Sequence, residues 1–282
     1  MKATPRIVIG AGVFVLLAIY LFVSAPPELP DGAVAGTAIP AESALAVLDA
    51  ENAAIRAIYT RDIVGEGSRH GLAFNEHWRD EDVAAGPLPS LLLRETSQRL
   101  HAQVPELGLF LGSDFPLVKA NLFTGVQAAH YREVKKTLQP DFYYDPALGR
   151  TTAMFPDRAV AEACIQCHNE HPASPKRDWV LNEPMGATTW SYAGRQVSSE
   201  TLLRMVGALR ASAVAAYGAY LQKVASFPPQ GRPVVGDKWP REGLYLPDQD
   251  TFRKAVEAQA STGTLNGLLR AAGRPSAQGG KP

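Results

Sequence analysis

The longest apolar run in the chain is continuous rather than periodic. Ile7 to Ala25 consists of apolar and small residues broken only by Ser24. At the helical rise it spans roughly 28 Å, about one hydrocarbon core, which predicts a transmembrane helix within residues 1–25. Residues 26–42, rich in Pro, Gly and Ala, read as a flexible linker. From Ser43 the pattern becomes periodic, with Leu45, Leu48, Ile55, Ile58, Tyr59 and Ile63 recurring at three- and four-residue steps. That spacing predicts an amphipathic helix running to about Gly65.

Gly65 to Pro89 shows no sustained period and many Gly, Pro and charged residues, so it reads as a long surface loop with at most a short strand at Leu72 to Phe74. Pro89-Ser90 opens a helix from Leu91 to Gln103. Leu107 to Leu111 reads as a strand, and Gly125 to Leu138 as a helix with Val126, Ala129, Val134 and Leu138 on its apolar side. Phe142 to Tyr144 and Thr151 to Phe155 flank Asp145-Pro-Ala-Leu-Gly149, a hairpin loop by composition. A further strand is expected at Ala187 to Tyr192, then a long helix capped by Ser198 or Ser199 and ending near Ala225. After a Pro- and Gly-rich crossing, two helices are expected, at Asp248 to Ala260 and Thr264 to Ala272. The tail 273–282 has the composition of a disordered segment. The pattern predicts an α+β fold: a small antiparallel sheet with flanking helices over 43–226, preceded by one transmembrane helix and followed by a helical extension over 227–272.

Charge adds direction. Lys and Arg together equal Asp and Glu at 28 each in 282 residues, so no net field argues for nucleic acid as a partner. Lys2 and Arg6 precede the apolar run, whereas Glu28, Asp31 and Glu42 follow it before any basic residue. The positive-inside rule then places the N-terminus in the cytoplasm and all that follows on the far side of the inner membrane, in the periplasm or its equivalent. A cleaved signal peptide is the rival reading, since Val23-Ser24-Ala25 loosely fits a cleavage site; Pro26 and Pro27 directly after it argue for an uncleaved anchor.

The chain's only two cysteines fall in Cys164-Ile-Gln-Cys167-His168, the c-type haem attachment signature. Two thiols on one helical turn can each add to a haem vinyl group, and the following imidazole is delivered to the iron from the same side. Two other readings use the same residues. A redox-active Cys-x-x-Cys usually sits at a strand-to-helix junction, which Ala159 to Ala163 does not suggest. A zinc site of Cys164, Cys167, His168 and His171 requires adjacent residues to occupy two corners of one tetrahedron. One covalently attached haem c, with His168 as its iron ligand, is the expected cofactor. For the sixth iron position Met185, His70 and Met154 are the candidates in that order. His77, His101 and His130 are further imidazoles, and His171 lies too close to His168 to reach the opposite face.

The segment from Cys164 through Asn169-Glu-His-Pro-Ala-Ser-Pro-Lys-Arg-Asp-Trp179 resembles the signature of a bacterial haem-c PAS-like sensor family. So do Tyr59-Thr-Arg-Asp-Ile-Val-Gly65, Pro87-Leu-Pro89 and Gly112-Ser-Asp-Phe-Pro116. The likeness covers about residues 45 to 225. It implies a PAS-like antiparallel sheet with a long N-terminal helix and a haem seated against it. Family members occur as the extracytoplasmic part of histidine kinases, chemoreceptors and cyclases, and as stand-alone haem proteins. Leu117-Val-Lys119 departs from the basic and amide residues that usually follow the Phe-Pro step, and no transmitter sequence follows residue 225. Within the motif region Lys176 or Arg177 could pair with a haem propionate, and Trp179 could lie on the macrocycle.

Three functions compete: a membrane-anchored haem domain sensing redox state or a small ligand, a tethered electron-transfer cytochrome, and, least supported, an enzyme such as a peroxidase. The first is the expectation, with no catalytic residues assigned and a redox or signalling protein of the membrane or periplasm as partner.

Overall fold

The computed structural model describes residues 38–272, with side chains as far as residue 260 apart from Ala163. The expected transmembrane helix, most of the linker and the tail 273–282 lie outside the described residues. Among the described residues no helix is long and apolar enough to cross a membrane.

The chain is a mixed α+β fold. Strand β1 (Ile39–Pro40) leads into helix α1 (Ala41–Ala57), which continues as a π-helical segment over Ile58–Gly65 and a short α2 (Glu66–Arg69). Helix α1 therefore begins two residues before Ser43, and Ile39–Pro40 pairs with β8 (Gln196–Val197). Beyond α1 the apolar spacing changes: Ile58 and Ile63, five residues apart, are both buried, which is the step of i→i+5 bonding. The expected loop holds more order than its composition suggests, since β2 (Phe74–Asn75) pairs in parallel with β3 (Gly86–Pro87). Helix α3 (Pro89–Gln103) starts with proline at its first position, where a missing N–H costs nothing.

Four strands form the main sheet, in the order β4 (Leu107–Gly112), β7 (Pro184–Ala193), β6 (Arg150–Arg158), β5 (Asp141–Asp145), all antiparallel. The hairpin between β5 and β6 turns on Asp145, whose Oδ1 accepts from the N–H groups of Ala147 at 2.9 Å and Leu148 at 3.3 Å; Gly149 supplies φ +63°. Strand β6 runs three residues beyond Phe155, and β7 starts three residues before Ala187. Their ladder slips between Asp157 and Arg158, so Met185 lies in a bulge opposite that step.

Alternation divides β6 and β7 between two layers. Ala153 and Trp190 join a large core with Leu45, Leu48 and Ile55 of α1, Leu92 and Leu100 of α3, and Leu209 and Tyr217 of α6 (Ser199–Ala225). Met154 and Ala187, on the opposite face, join Phe123 and the Tyr131 and Val134 side chains of α4 (Gly125–Thr137). Burial of each of the large aliphatic and Phe side chains contributes about 1.5–3 kcal/mol. The α1–α6 contact also holds a charge pair: Arg210 donates to both carboxylate oxygens of the fully buried Glu51, at 2.7 and 2.9 Å.

Between β6 and β7 lies the short helix α5 (Glu162–Glu170), and after α6 come the parallel pair β9 (Val234–Gly236) and β10 (Tyr245–Pro247). Residues 249–272 form one helix, α7 (Gln249–Ala272), instead of the two expected. Phe252 and Val256 of α7 enter the large core beside α1, so the 227–272 stretch shares the interior of the sheet domain.

Candidate functional site

The attachment motif lies on α5, which Ala161 enters in an extended conformation and His171 leaves at ψ 131°. Positions 164, 167 and 168 are related by three and four residues, so Cys164, Cys167 and His168 share one side of this helix. Both thiols are free; Cys164 is half-buried and Cys167 exposed. Burial, with Glu76 next in weight, pushes the Cys167 thiol above its ordinary range. Strand β6 ends at Arg158 and α5 starts at Glu162, so the motif does follow a strand directly, contrary to the sequence reading of Ala159 to Ala163; what separates it from a plain Cys-x-x-Cys is His168 on the same side of the helix.

His168 is half-buried, and desolvation, with His171 a lesser cause, holds its imidazole below the ordinary range. That shift favours the neutral form, the one that ligates a metal. Its Nδ1 is buried without a hydrogen-bond partner. The donor set fits a haem c: two unpaired thiols for the vinyl groups and one neutral imidazole for the iron. It fits zinc poorly. His171 has both nitrogens engaged, Nδ1 accepting from the Ala173 N–H at 3.1 Å and Nε2 facing Glu76 at 3.2 Å. Among the described residues no group of three or more His, Cys, Asp and Glu is arranged to hold a metal ion.

The residues after the motif fold back over it. Asn169 closes the loop by a reciprocal pair, accepting from the Trp179 N–H at 2.8 Å and donating to the Trp179 carbonyl at 3.1 Å. This seats the buried Trp179 indole edge-on to His168, with ring centroids 6.5 Å apart, and against Phe115 at 6.2 Å. Lys176 lies over the Trp179 ring at 4.2 Å, and its ammonium meets Asp178 at 2.7 Å and Glu183 at 3.2 Å. Arg177 is exposed and donates to the Pro172 carbonyl.

The candidate sixth ligands are in unlike places. Met154 is wholly buried in the α4-side core. His70 is exposed just past α2, at the far end of a separate element. Met185 is half-buried, packs in neither core, and sits in the bulge where its carbonyl accepts from Ser113 Oγ at 2.5 Å. Ser113 also accepts from the N–H of Phe115, the residue on Trp179. His130 is bound to Asp141 at 2.5 Å and stacked on Tyr143.

Sequence reasoning missed a second group of residues, on the sheet side of the motif. Arg56 of α1 donates to Asp157 Oδ1 at 2.8 Å and Thr188 Oγ1 at 3.2 Å, at the end of the strand that leads into α5. One and two turns earlier on the same side of α1 are Asn52 and Asp49. Trp190 Nε1 donates to Asp49 Oδ1 at 3.1 Å. Asp49 is half-buried, and loss of water on its sheet side pushes its pKa up to about 7, against the opposing effect of Trp190 and Arg56. The available signal was a polar stripe, Asp49, Asn52 and Arg56, at three- and four-residue steps along α1. No family model, curated protein or solved structure matches the chain.

Proposed function

We propose that this protein is a membrane-anchored, extracytoplasmic monohaem c-type protein that senses redox state or a small ligand, built on a PAS-like sheet. The observation that carries the reading is the set on α5: two free thiols and a neutral, half-buried imidazole on one side of one short helix. Cys164 and Cys167 hold the haem by thioether bonds, and His168 ligates the iron. When bound, the haem would supply a redox-active iron at which a small ligand could displace a protein side chain. Trp179, fixed by Asn169, limits the ring motion of His168 and excludes water from one side of it. Met185 is the preferred sixth ligand, because neither core uses its side chain and a strand bulge aims a residue away from the ladder. The apolar run Ile7 to Ala25 is the proposed anchor to the inner membrane, where a redox or signalling protein is the proposed partner.

The test is expression in cells competent for cytochrome c maturation, followed by intact mass and a haem stain on a denaturing gel. One covalent haem is expected in the wild type and none after replacement of Cys164 and Cys167 by Ala. A wild-type mass without the macrocycle overturns the reading. Carbon monoxide added to the ferrous protein separates sensing from electron transfer, since a carrier with fixed six-coordinate iron leaves its spectrum unchanged.

A further inference from the structure

A covalently held haem brings two carboxylates with it, and a half-buried carboxylate needs a cation. Four basic side chains lie around α5. Arg158 and Arg177 are exposed and donate to the backbone carbonyls of Asn182 and Pro172; ion pairs made by such solvated groups contribute little. The Lys176 ammonium is already met by Asp178 and Glu183 and by the face of Trp179. Arg56 differs from all three. Its side chain is 31% exposed, so it is shielded but not sealed. A guanidinium has five N–H donors in a rigid fork, and Arg56 spends one on Asp157 and one on Thr188. Those two bonds fix the plane of the fork against β6 and β7 and leave the remaining donors for a ligand. Asp157 lies next to the last residue of β6, the strand that leads directly into α5, so the fork is held at the strand end next to the attachment helix. In a haem c the carboxylates are borne by pyrrole rings next to those bonded to cysteine, so a macrocycle tied to Cys164 brings a carboxylate into that neighbourhood.

We propose that Arg56 of α1, braced by Asp157 and Thr188 where β6 leads into α5, is the residue that binds a haem carboxylate in this protein, in place of Lys176. The inference rests on the haem reading above and adds a binding residue to it. It makes α1, the helix that follows the N-terminal segment, the element in direct contact with the cofactor. A carboxylate bound there is gripped by charge-assisted bonds from a preset fork rather than by a mobile ammonium.

The experiment uses the full-length haem-loaded protein and compares wild type with Arg56→Gln, Arg56→Lys, Asp157→Asn and Lys176→Gln. Intact mass first establishes the covalent haem, and a wild type without it refutes the haem reading and this inference together. Resonance Raman bands of the propionate bending modes and the reduction midpoint are then measured. In Arg56→Gln one propionate band is expected to move, and the equilibrium constant for reduction to fall about tenfold as a cation next to the haem is lost. Arg56→Lys recovers part of both changes. Asp157→Asn, which keeps the guanidinium but loosens its brace, is expected to move the same band, and an unmoved band in that haem-loaded variant overturns the assignment should Arg56→Gln fold poorly. Lys176→Gln leaves the propionate bands where they were. Haem-loaded Arg56→Gln with unchanged propionate bands, or a propionate shift in Lys176→Gln, overturns the assignment.

Discussion

Replacement of Asp49 by Asn isolates the cost of a carboxyl group held between α1 and the sheet. In the folded chain Asp49 titrates at about 7, against an ordinary 3.8, because burial disfavours its charged form more than Trp190 and Arg56 favour it. Between these two values the folded protein keeps a proton that the unfolded chain has released. Stability from this site is therefore fully present below about pH 4 and is lost as pH rises through about 7. At about 1.4 kcal/mol per pH unit, the interval of about three units sets an upper bound of about 4 kcal/mol. Asp49 is only half-buried, so solvent screening reduces the expected loss to about 2 kcal/mol. Asn keeps an oxygen for the Trp190 N–H and carries no proton to lose. Urea denaturation followed by far-ultraviolet circular dichroism, at intervals from about pH 4 to about pH 8, gives both stability curves. The wild type should lose stability relative to Asp49→Asn across this range, and the two curves should run parallel above it. Curves parallel throughout, or a wild type gaining on the variant as pH rises, would refute the reasoning.

Two methionines separate packing from ligation. Met154→Ala should cost about 2–5 kcal/mol in a denaturation experiment and leave the haem spectrum unaltered, because that side chain is enclosed by the α4-side core. Met185→Ala should do the reverse, with little loss of stability and a change in the ferrous absorption bands. Glu51→Ala removes the buried carboxylate that Arg210 grips and should cost about 1–3 kcal/mol, because the partly exposed guanidinium left behind can be resolvated, read as a fall in Tm. Gly186→Ala places a methyl group well inside contact distance of the Gly112 carbonyl on β4, where only backbone can yield. A loss of about 1–3 kcal/mol, measured by the same denaturation, is expected.

Much of the helical layer was legible because its signals are local. Leu45, Leu48 and Ile55 mark α1, Pro89 starts α3, and Ser198 caps α6 by accepting from the Thr201 N–H at 3.1 Å. The β5–β6 hairpin was equally local, since Asp145 and Gly149 make the turn. Strand ends were hidden by proline: Pro156 lies within β6 and Pro184 opens β7, at positions that a composition reading takes for loop. The place of β7 between β4 and β6 carries no local signature, because it is set by pairing over long separations. The same holds around the motif. Cys164, Cys167 and His168 are adjacent in sequence and were identified there, whereas Arg56 meets Asp157 and Thr188 across 101 and 132 positions. Asp49 meets Trp190 across 141. What the chain did disclose was a break in the apolar face of α1, and only the packed sheet explains it.

The return of α7 to α1 also sets a timetable. Phe252 and Val256 fill space beside the first helix of the domain, so the interior cannot be completed until that part of the chain has been synthesised. About ninety residues separate His168 from that point, which at ribosomal speeds of about 5–20 residues per second is a delay of roughly 5–20 seconds. Throughout that interval the cysteine-bearing stretch exists as nascent polypeptide whose surrounding architecture is still unfinished.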